Sequence, residues 1–292
     1  PLLRCNLHGD ITTRFTPCSG AQRQCSTCPD KRDKNSTMPK FVAKTDDVPA
    51  GVVIGSFRWP ELIDMQIRVI RDNCGAVPIL VSNDDPDSHS SLSSICNKHK
   101  DIFLWTNHER IGHTGGDISA FFKGVLWGAS RGLRVVCKLS QRFVINRPRW
   151  LQDSAKELLL SGLPIGSRRT HGVEMYDLRT EACLLDIGWW NNNEVLNRIT
   201  PRKMWADAPG GLAAEKIIFR LVEDTMGGIY YPWANVLGED RYKRDYPDVL
   251  WHCNTGEREY RELAKSHGVE LSPQFHISGW QGELAQGKYQ YG

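Results

Sequence analysis

The chain has 292 residues, a net charge of +3 and a pI of about 8.4. This length accommodates one large α/β domain or two modest ones. Hydrophobic residues (40%) and charged residues (24%) occur in the proportions of an ordinary soluble globular protein. The charge is too small to indicate a nucleic-acid partner, and no run of about 18 apolar residues predicts a membrane span. Composition therefore argues against strongly basic nucleic-acid-binding proteins and membrane-spanning proteins.

The first thirty residues are rich in cysteine and contain two short chelating pairs. One pair is C-x₂-H and the other is C-x₂-C, and sixteen residues separate them. Such pairs are typical of a structural zinc site, in which each contributes two ligands to a tetrahedral ion. Disulfides or free thiols are the alternatives, and Cys18 can replace the histidine. The predicted zinc ligands are Cys5, His8, Cys25 and Cys28.

The remaining five of the nine cysteines are scattered and lie mostly in apolar or helical contexts. Buried cysteines of this kind behave as small hydrophobic residues, and this usage favours a reducing, cytoplasmic location. Residues 31–50 are charged and contain two prolines, which indicates a linker between the Cys-rich module at 1–30 and the rest of the chain.

From residue 51 to 150, short apolar segments alternate with amphipathic ones. The predicted strands are 51–54, 79–81, 102–105 and 134–139, and the predicted helices are 59–72, 88–98 and 118–130. The last helix has one apolar stripe of 3.6-residue period, with Asp117 before it as an N-cap candidate. This alternation predicts a mostly parallel sheet covered by helices on both faces. Beyond 150, we expect a β-hairpin at 173–187 and a helix at 213–226.

Polar residues follow the predicted strands at the edge where open parallel sheets bind ligands, outside the carboxyl ends of the strands. The glycines before residue 118 allow close approach of a ligand to a helix N-terminus, which suits phosphates. Asp84 or Asp85 can accept hydrogen bonds from a base or a ribose, although an Asp/Asn turn is the alternative. The residues predicted to bind this ligand, called the donor-binding residues below, are Ser56, Arg58, Asp84, Asp85, Gly115, Gly116, Asp117 and Lys138.

The order of these segments resembles the nucleotide-binding half of GT-A glycosyltransferases. The relevant stretches read VVIGSFRWPELIDMQIRVIRDN, VPILVSNDDPDS and RIGHTGGDISAFFKGVLWGASRGLRVVCKLSQRFVI. In that family the second strand ends in Asp, and a Gly-containing loop leads into an A-x-x-x-G helix, here Ala120 to Gly124. The resemblance covers about residues 50–150. It implies a Rossmann-like GT-A sheet, a nucleotide-sugar-binding half at 51–150 and an acceptor-binding half at 151–292.

The same resemblance implies a UDP- or GDP-sugar donor and a glycan or other hydroxyl acceptor. In some uncharacterised bacterial proteins, a similar Cys-rich segment precedes a GT-A-like domain. The sequence departs from the family after the fourth strand, where Ser140-Gln141-Arg142 replaces the metal-binding Asp-x-Asp. Two carboxylates would hold Mg²⁺ or Mn²⁺, whereas Arg142 and Lys138 offer positive charge to the diphosphate directly. We therefore expect a metal-independent or a catalytically degenerate protein.

An inverting transfer, the default that the resemblance implies, requires a carboxylate base for the acceptor hydroxyl. Glu215 at the start of a predicted helix is the first candidate, although a helix start also favours Glu for electrostatic reasons. The predicted catalytic residues are Glu215, Arg142 and Asp207. A Trp pair followed by three asparagines suggests a sugar platform, with core packing as the alternative. The predicted acceptor-binding residues are Trp189, Trp190 and His171.

Two other functions compete with glycosyl transfer. A sugar nucleotidyltransferase uses a related fold and normally has a Gly-rich loop with Arg and Lys directly after the first strand. In this sequence the turn after that strand reads Gly-Ser-Phe-Arg-Trp, which argues against this function. A zinc-binding adaptor with a degenerate glycosyltransferase domain would explain the missing carboxylates.

Overall fold

The computed structural model describes six stretches of the chain: residues 47–168, 178–192, 214–224, 229–230, 248–250 and 255–276. Every structural statement below concerns these residues. Several predicted features lie outside them, namely the zinc ligands Cys5, His8, Cys25 and Cys28, most of the 31–50 linker, His171 and Asp207. These features stay predictions.

A seven-stranded mixed sheet forms the centre of the described fold, in the order β3-β2-β1-β4-β7-β6-β8. Its strands are β1 (Ala50–Ser56), β2 (Ile79–Asn83), β3 (Ile102–Thr106), β4 (Val135–Ser140), β6 (Ile165–Arg168), β7 (Arg179–Asp186) and β8 (Ile229–Tyr230). The first four are parallel to one another, which confirms the four predicted strands and the parallel arrangement. β7 runs antiparallel to both β4 and β6, whereas β6 and β8 are parallel.

The hairpin predicted at 173–187 is only partly correct. Its second half is β7, but the described partners of β7 are β4 and β6. The residues predicted as the first half, up to 177, lie outside the described chain. A separate two-stranded antiparallel sheet joins β5 (Val144–Ile145) to β9 (Val249–Leu250).

Helices cover both faces of the sheet, as the sequence predicts. They are α1 (Pro60–Cys74), α2 (His89–Cys96), α3 (Gly112–Ser130), α4 (Trp150–Ser161), α5 (Ile187–Trp190), α6 (Ala214–Asp224) and α7 (Glu257–Ser266). One core lies between the sheet and α1, α2 and α4, and a second lies between the sheet and α3, α5 and α6. A third cluster joins α1 to α7 and the residues after it. None of the described helices combines the length and apolar character required to cross a bilayer.

Helix α3 approaches the sheet closely because small residues line its inner face. A Cβ atom on Gly124 would lie 2.7 Å from Val53 Cγ1, and one on Gly128 would lie 2.6 Å from Val136 Cγ2. Real Cβ atoms do not approach other atoms so closely, so both positions require glycine while the helix keeps this distance. The A-x-x-x-G pattern noted in the sequence therefore sets the separation between this helix and the central strands.

Candidate functional site

The loop after β1 has an unusual backbone. Arg58 and Trp59 both adopt the left-handed conformation, with φ of 59° and 48°. Each non-glycine residue in this region costs on the order of 1 kcal/mol, and such costs are found most often where surrounding contacts fix a functional loop. Before the turn, Ser56 is buried, and its Oγ has no hydrogen-bond partner among the described residues.

Gln141, the residue after β4, fixes this loop. Its Oε1 accepts a hydrogen bond from the Phe57 main-chain N–H (2.8 Å), and its Nε2 donates to the Phe57 carbonyl (2.6 Å). One side-chain amide thus pairs with both main-chain groups of a residue 84 positions away. The middle residue of the triplet that replaces Asp-x-Asp therefore joins the ends of two central strands. Sequence reasoning considered only its inability to bind a metal and missed this role.

Two guanidinium groups stack on Phe57. The Arg110 guanidinium carbon lies 4.2 Å from the ring centroid and that of Arg58 lies 5.0 Å away. Cation–π contacts of this kind hold a guanidinium group over the ring, so both positive charges lie beside Phe57 at the end of β1. Arg58 is a predicted donor-binding residue, whereas Arg110 was missed. The available signal was its place in the loop that leads to the Gly-rich segment.

Asp84, directly after β2, caps the amino terminus of α3. Its carboxylate accepts hydrogen bonds from Asn107 Nδ2 (2.8 Å), the Ile111 N–H (3.0 Å) and the Gly112 N–H (3.1 Å). Burial raises the pKa of Asp84, and these hydrogen bonds offset part of that increase. A Cβ on Gly116 would lie 2.8 Å from Asp84 Oδ2, so this glycine makes room for the carboxylate.

This cap corrects two predictions. Helix α3 begins at Gly112, six residues before the predicted start, so Gly115, Gly116 and Asp117 belong to its first two turns and not to a loop. Asp117 is therefore not the N-cap, because the cap comes from another strand. The Asp84 carboxylate also accepts the hydrogen bonds of the first N–H groups of the helix, to which a phosphate was expected to bind. Direct contact between Asp84 and a nucleotide stays a prediction.

Lys138 lies in the interior, within β4. Its side chain is fully buried, and its ammonium group forms an ion pair with Asp117 and donates to the Thr180 carbonyl. Sequence reasoning placed this lysine against the donor, but burial directs its charge to α3 instead. Pairing explains why a lysine is tolerated there, because an isolated buried charge would be very costly.

Asp85 forms the turn that was the alternative to a ligand role. Its N–H donates to Asn83 Oδ1 (3.1 Å), and its carbonyl accepts from Asn83 Nδ2 (2.6 Å) and Ser88 Oγ (2.8 Å). The turn leads into a short 3₁₀ helix, Pro86–Ser88. These contacts involve its main chain only, so a side-chain contact with the donor stays a prediction.

The tryptophan pair lies at the other edge of the sheet, which contradicts its predicted acceptor role. Both residues belong to α5, which follows β7, and Asp186 at the end of β7 pairs with Val135 at the start of β4. Trp190 is fully buried, donates through Nε1 to the Pro164 carbonyl (2.7 Å) and packs edge-to-face on Phe121. The length of β4, about 20 Å at 3.3 Å per residue, separates this pair from the carboxyl edge.

Two catalytic candidates occupy different settings. Arg142 follows β4 at the carboxyl edge, and its carbonyl accepts a hydrogen bond from the Tyr260 hydroxyl. Glu215 lies in the first turn of α6, as predicted, but the description does not include its side chain. Ile218, Leu221 and Val222 of the same helix are buried in the core on the α3 side of the sheet. The role of Glu215 stays a prediction.

Comparison with known proteins gives a fold but no family. No protein-family profile matches the sequence, and no curated protein matches it. Among solved structures, the glycosyltransferase GlyE of Streptococcus pneumoniae TIGR4 is similar over 83% of this chain, with a TM-score of 0.50 and 11% identity. The galactosyltransferase LgtC, solved with donor and acceptor sugar analogs, is similar over 80% of this chain and 100% of its own, with a TM-score of 0.50 and 10% identity.

A cytidylyltransferase from Leptospira borgpetersenii is less similar, with a TM-score of 0.45 and 11% identity over 82% of this chain and 95% of its own. That likeness is too weak to carry an argument. The match to GlyE spans only 64% of the length of GlyE. At such low identities the comparisons show the fold alone, and they confirm the predicted GT-A-like α/β architecture.

Proposed function

We propose that this protein is a glycosyltransferase that moves a sugar from a nucleoside-diphosphate donor to a hydroxyl acceptor and holds the diphosphate with arginine. The observation that carries the proposal is the carboxyl edge of the parallel strands, where Arg58 and Arg110 stack on Phe57. Gln141 holds Phe57 from the end of β4, and Arg142 follows in the chain. The edge thus presents cationic side chains where GT-A proteins bind their donor.

The triplet Ser140-Gln141-Arg142, which begins at the last residue of β4, does not fit a divalent cation of the Asp-x-Asp kind. Mg²⁺ and Mn²⁺ select carboxylate oxygens, and the triplet offers a hydroxyl, an amide and a guanidinium group. The amide of Gln141 is already engaged with the Phe57 main chain, and the Ser140 carbonyl accepts from Gln66 Nε2 (3.0 Å). We therefore assign the neutralisation of the diphosphate to Arg58, Arg110 and Arg142, in keeping with the preference of guanidinium groups for phosphate oxygens.

The proposed reaction is an inverting displacement. The acceptor oxygen attacks C1 of the donor sugar, its proton passes to a carboxylate, and the bond between C1 and the diphosphate oxygen breaks. The negative charge that develops on the leaving diphosphate is stabilised by the arginine guanidinium groups. Glu215 is the first candidate for the base and Asp207 is the second, and His171 is the remaining candidate for acceptor binding.

The donor that we propose is a UDP- or GDP-sugar, and the acceptor is a glycan or another hydroxyl compound. The printed description of LgtC supports a paired donor and acceptor site on this fold. We also propose a cytoplasmic location, which the buried thiols of Cys96 and Cys137 support. The N-terminal cysteines complete the proposal as a structural zinc module.

Titration with UDP and GDP, with Mn²⁺ or with a chelator, tests the proposal. We expect one nucleotide to bind equally well in both conditions, and we expect the Arg110→Ala and Arg142→Ala variants each to bind at least about tenfold more weakly. Arg131→Ala is the matched control, because the Arg131 guanidinium group also lies over a phenylalanine ring, Phe103 (3.9 Å), but follows α3, away from the carboxyl edge.

Each contrary result has a distinct meaning. Binding that requires Mn²⁺ would overturn the metal-independent site. Binding of nucleotide without sugar hydrolysis or transfer would favour the degenerate adaptor, which the absent carboxylate pair makes the second candidate. A chain that binds no nucleotide under either condition would refute the proposed function.

A further inference from the structure

The carboxyl-terminal segment 255–276 contacts both loops at the candidate donor edge. Tyr260 is fully buried in α7, and its hydroxyl donates to the Arg142 carbonyl after β4. Phe275 packs edge-to-face on Trp59 of the loop after β1, with 5.7 Å between ring centroids. Tyr260 and Phe275 also contact each other, at 6.2 Å. Two aromatic residues of one segment thus reach two loops that originate on neighbouring strands.

This segment is itself held in a defined shape by one side chain. The Arg261 guanidinium group donates to the carbonyls of Leu271 (3.3 Å), Ser272 (3.2 Å) and Phe275 (3.1 Å) and forms an ion pair with Glu257 (2.7 Å). These bonds fold the chain after α7 back along the helix. The placement of Phe275 relative to Tyr260 is therefore fixed within the segment.

Helix α1 anchors the segment to the rest of the fold. Glu61 Oε1 accepts from the Ser272 N–H (3.2 Å), and Arg68 Nη1 donates to the His267 carbonyl (3.1 Å). Tyr260 and Phe275 share a buried cluster with Leu62, Met65 and Val69 of α1. The segment is therefore held on α1 by a buried apolar interface with side-chain hydrogen bonds at its ends.

The main chain around Arg142 is fixed from the same side. Gln66 Nε2 donates to the carbonyls of Ser140 (3.0 Å) and Phe143 (2.8 Å), and the Tyr260 hydroxyl binds the carbonyl between them. Of these three bonds, the one from Tyr260 acts on Arg142 itself. Removal of that hydroxyl would take away the donor to the Arg142 carbonyl, while the two bonds from Gln66 and the bond from the Phe143 N–H to the Ser140 carbonyl (3.1 Å) remain.

We infer that Tyr260 is a positioning residue for Arg142, and that the carboxyl-terminal segment sets the geometry of the donor edge through Tyr260 and Phe275. The inference rests on the proposed function insofar as Arg142 binds the diphosphate. The Tyr260→Phe change keeps the ring that contacts Phe275 and removes the hydroxyl that binds the Arg142 carbonyl, so we expect its effect on ligand binding to pass through Arg142. A site that depends on preorganised cationic groups loses affinity when such support loosens.

A double-mutant cycle in the full-length protein tests this inference. We expect Tyr260→Phe to weaken binding of the preferred nucleoside diphosphate about fivefold to tenfold in the wild-type background, and to have no further effect in the Arg142→Ala background. Trp190→Phe is the control, since it also removes a buried side-chain bond to a carbonyl, at the opposite edge of the sheet. The control should lower stability without changing affinity. Equal effects of Tyr260→Phe in both backgrounds would overturn the inference.

Hydrogen exchange gives a readout that does not depend on any nucleotide. We expect Tyr260→Phe to accelerate exchange in peptides that cover 139–146, with no change in those peptides for Trp190→Phe. If the wild-type protein binds no nucleotide, the proposed function fails, and the exchange result alone then decides whether Tyr260 positions this loop. Unchanged exchange in Tyr260→Phe would refute the positioning role whatever the ligand.

Discussion

The side-chain amide of Gln141 forms one hydrogen bond with the main-chain N–H of Phe57 and another with its carbonyl. These two bonds take the place of a pair of main-chain hydrogen bonds between β1 and β4, just beyond the ends of both strands. They hold Phe57 in front of Arg58 and Trp59, whose left-handed conformations carry a local cost. Gln141 therefore supports Phe57, on whose ring the guanidinium groups of Arg58 and Arg110 stack.

Gln141→Glu is expected to destabilise the protein by about 1–3 kcal/mol, because a carboxylate accepts hydrogen bonds but has no N–H for the Phe57 carbonyl. Urea unfolding gives the measurement. Gln274→Glu, at an exposed position after α7, is the control. A difference between the two variants below about 0.5 kcal/mol would show that the amide bridge contributes little.

Asp84→Ala is expected to lower the free energy of unfolding by about 2 kcal/mol, because it removes the cap of α3 and leaves the N–H groups of Ile111 and Gly112 without their acceptor. Asp87→Ala serves as the control, since that carboxylate is exposed on the following turn. Circular dichroism during urea unfolding measures both. An Asp84 variant as stable as its control would contradict the capping role.

Lys138→Met is expected to cost about 3 kcal/mol, because it leaves Asp117 facing the interior without the ammonium group. The double variant Lys138→Met/Asp117→Leu should recover much of that loss, since it replaces both members of the pair with apolar groups. Chemical unfolding of the single variants and the double variant gives the coupling energy. Additive losses would show that the two side chains do not stabilise each other.

Lys123 is expected to make stability rise with pH. Burial lowers the pKa of Lys123 to about 8 from an ordinary value of 10.5, although Asp84 favours the charged form. Between these two values the unfolded chain holds a proton that the folded chain has released, so folding becomes more favourable as pH increases. Relative to Lys123→Met, the wild-type protein should gain up to about 3 kcal/mol from pH 8 to 10.5.

The control for this pH dependence is Lys98→Met, a change at an exposed lysine. Measuring both variants over the same pH range separates the loss of the buried lysine from the loss of an exposed one, and subtraction of the wild-type curve cancels the contribution of other groups such as the cysteines. Unfolding by urea at half-unit pH intervals is sufficient. A flat difference for Lys123→Met would mean that its ammonium group keeps an ordinary pKa in the folded protein.

The N-terminal cysteine pairs predict one zinc ion per chain. Elemental analysis of the purified protein should give a ratio near one, and the Cys25→Ser/Cys28→Ser variant should lose the metal. Cys96→Ser, at a buried position in α2, is the control that should retain it. A metal-free wild-type protein with an altered mass after reduction would instead support disulfides.

Local patterns predicted the first half of the fold well. Each central strand is a short apolar run whose signal lies within its own residues, and the observed β1 to β4 match the predicted strands to within three residues. The helix between β3 and β4 is also predicted correctly, but its predicted start lies six residues after the observed one. Its apolar stripe begins at Ile118, whereas its first turns consist of small and polar residues that Asp84 caps from a distant strand.

The site residues were harder to predict because their roles depend on pairing. Lys138 reads as a cation after a strand, and only the position of Asp117 shows that its charge is used inside the protein. The Trp189-Trp190 pair was misplaced because a single antiparallel strand, β7, carries the chain back to the amino edge. No local signal in the sequence shows in which direction that strand runs. The partner of Gln141 could not be predicted either, because it depends on the register of β1 against β4.

The inner face of α3 leaves little freedom for protein engineering. Because a Cβ atom on Gly124 or Gly128 would collide with Val53 or Val136, enlarging either position would displace the helix whose amino terminus Asp84 holds. Libraries intended to change ligand preference should therefore keep both glycines fixed and vary the loop ahead of the helix, around Arg110. Library members with substitutions at these glycines would misfold, and selection for binding could not recover them.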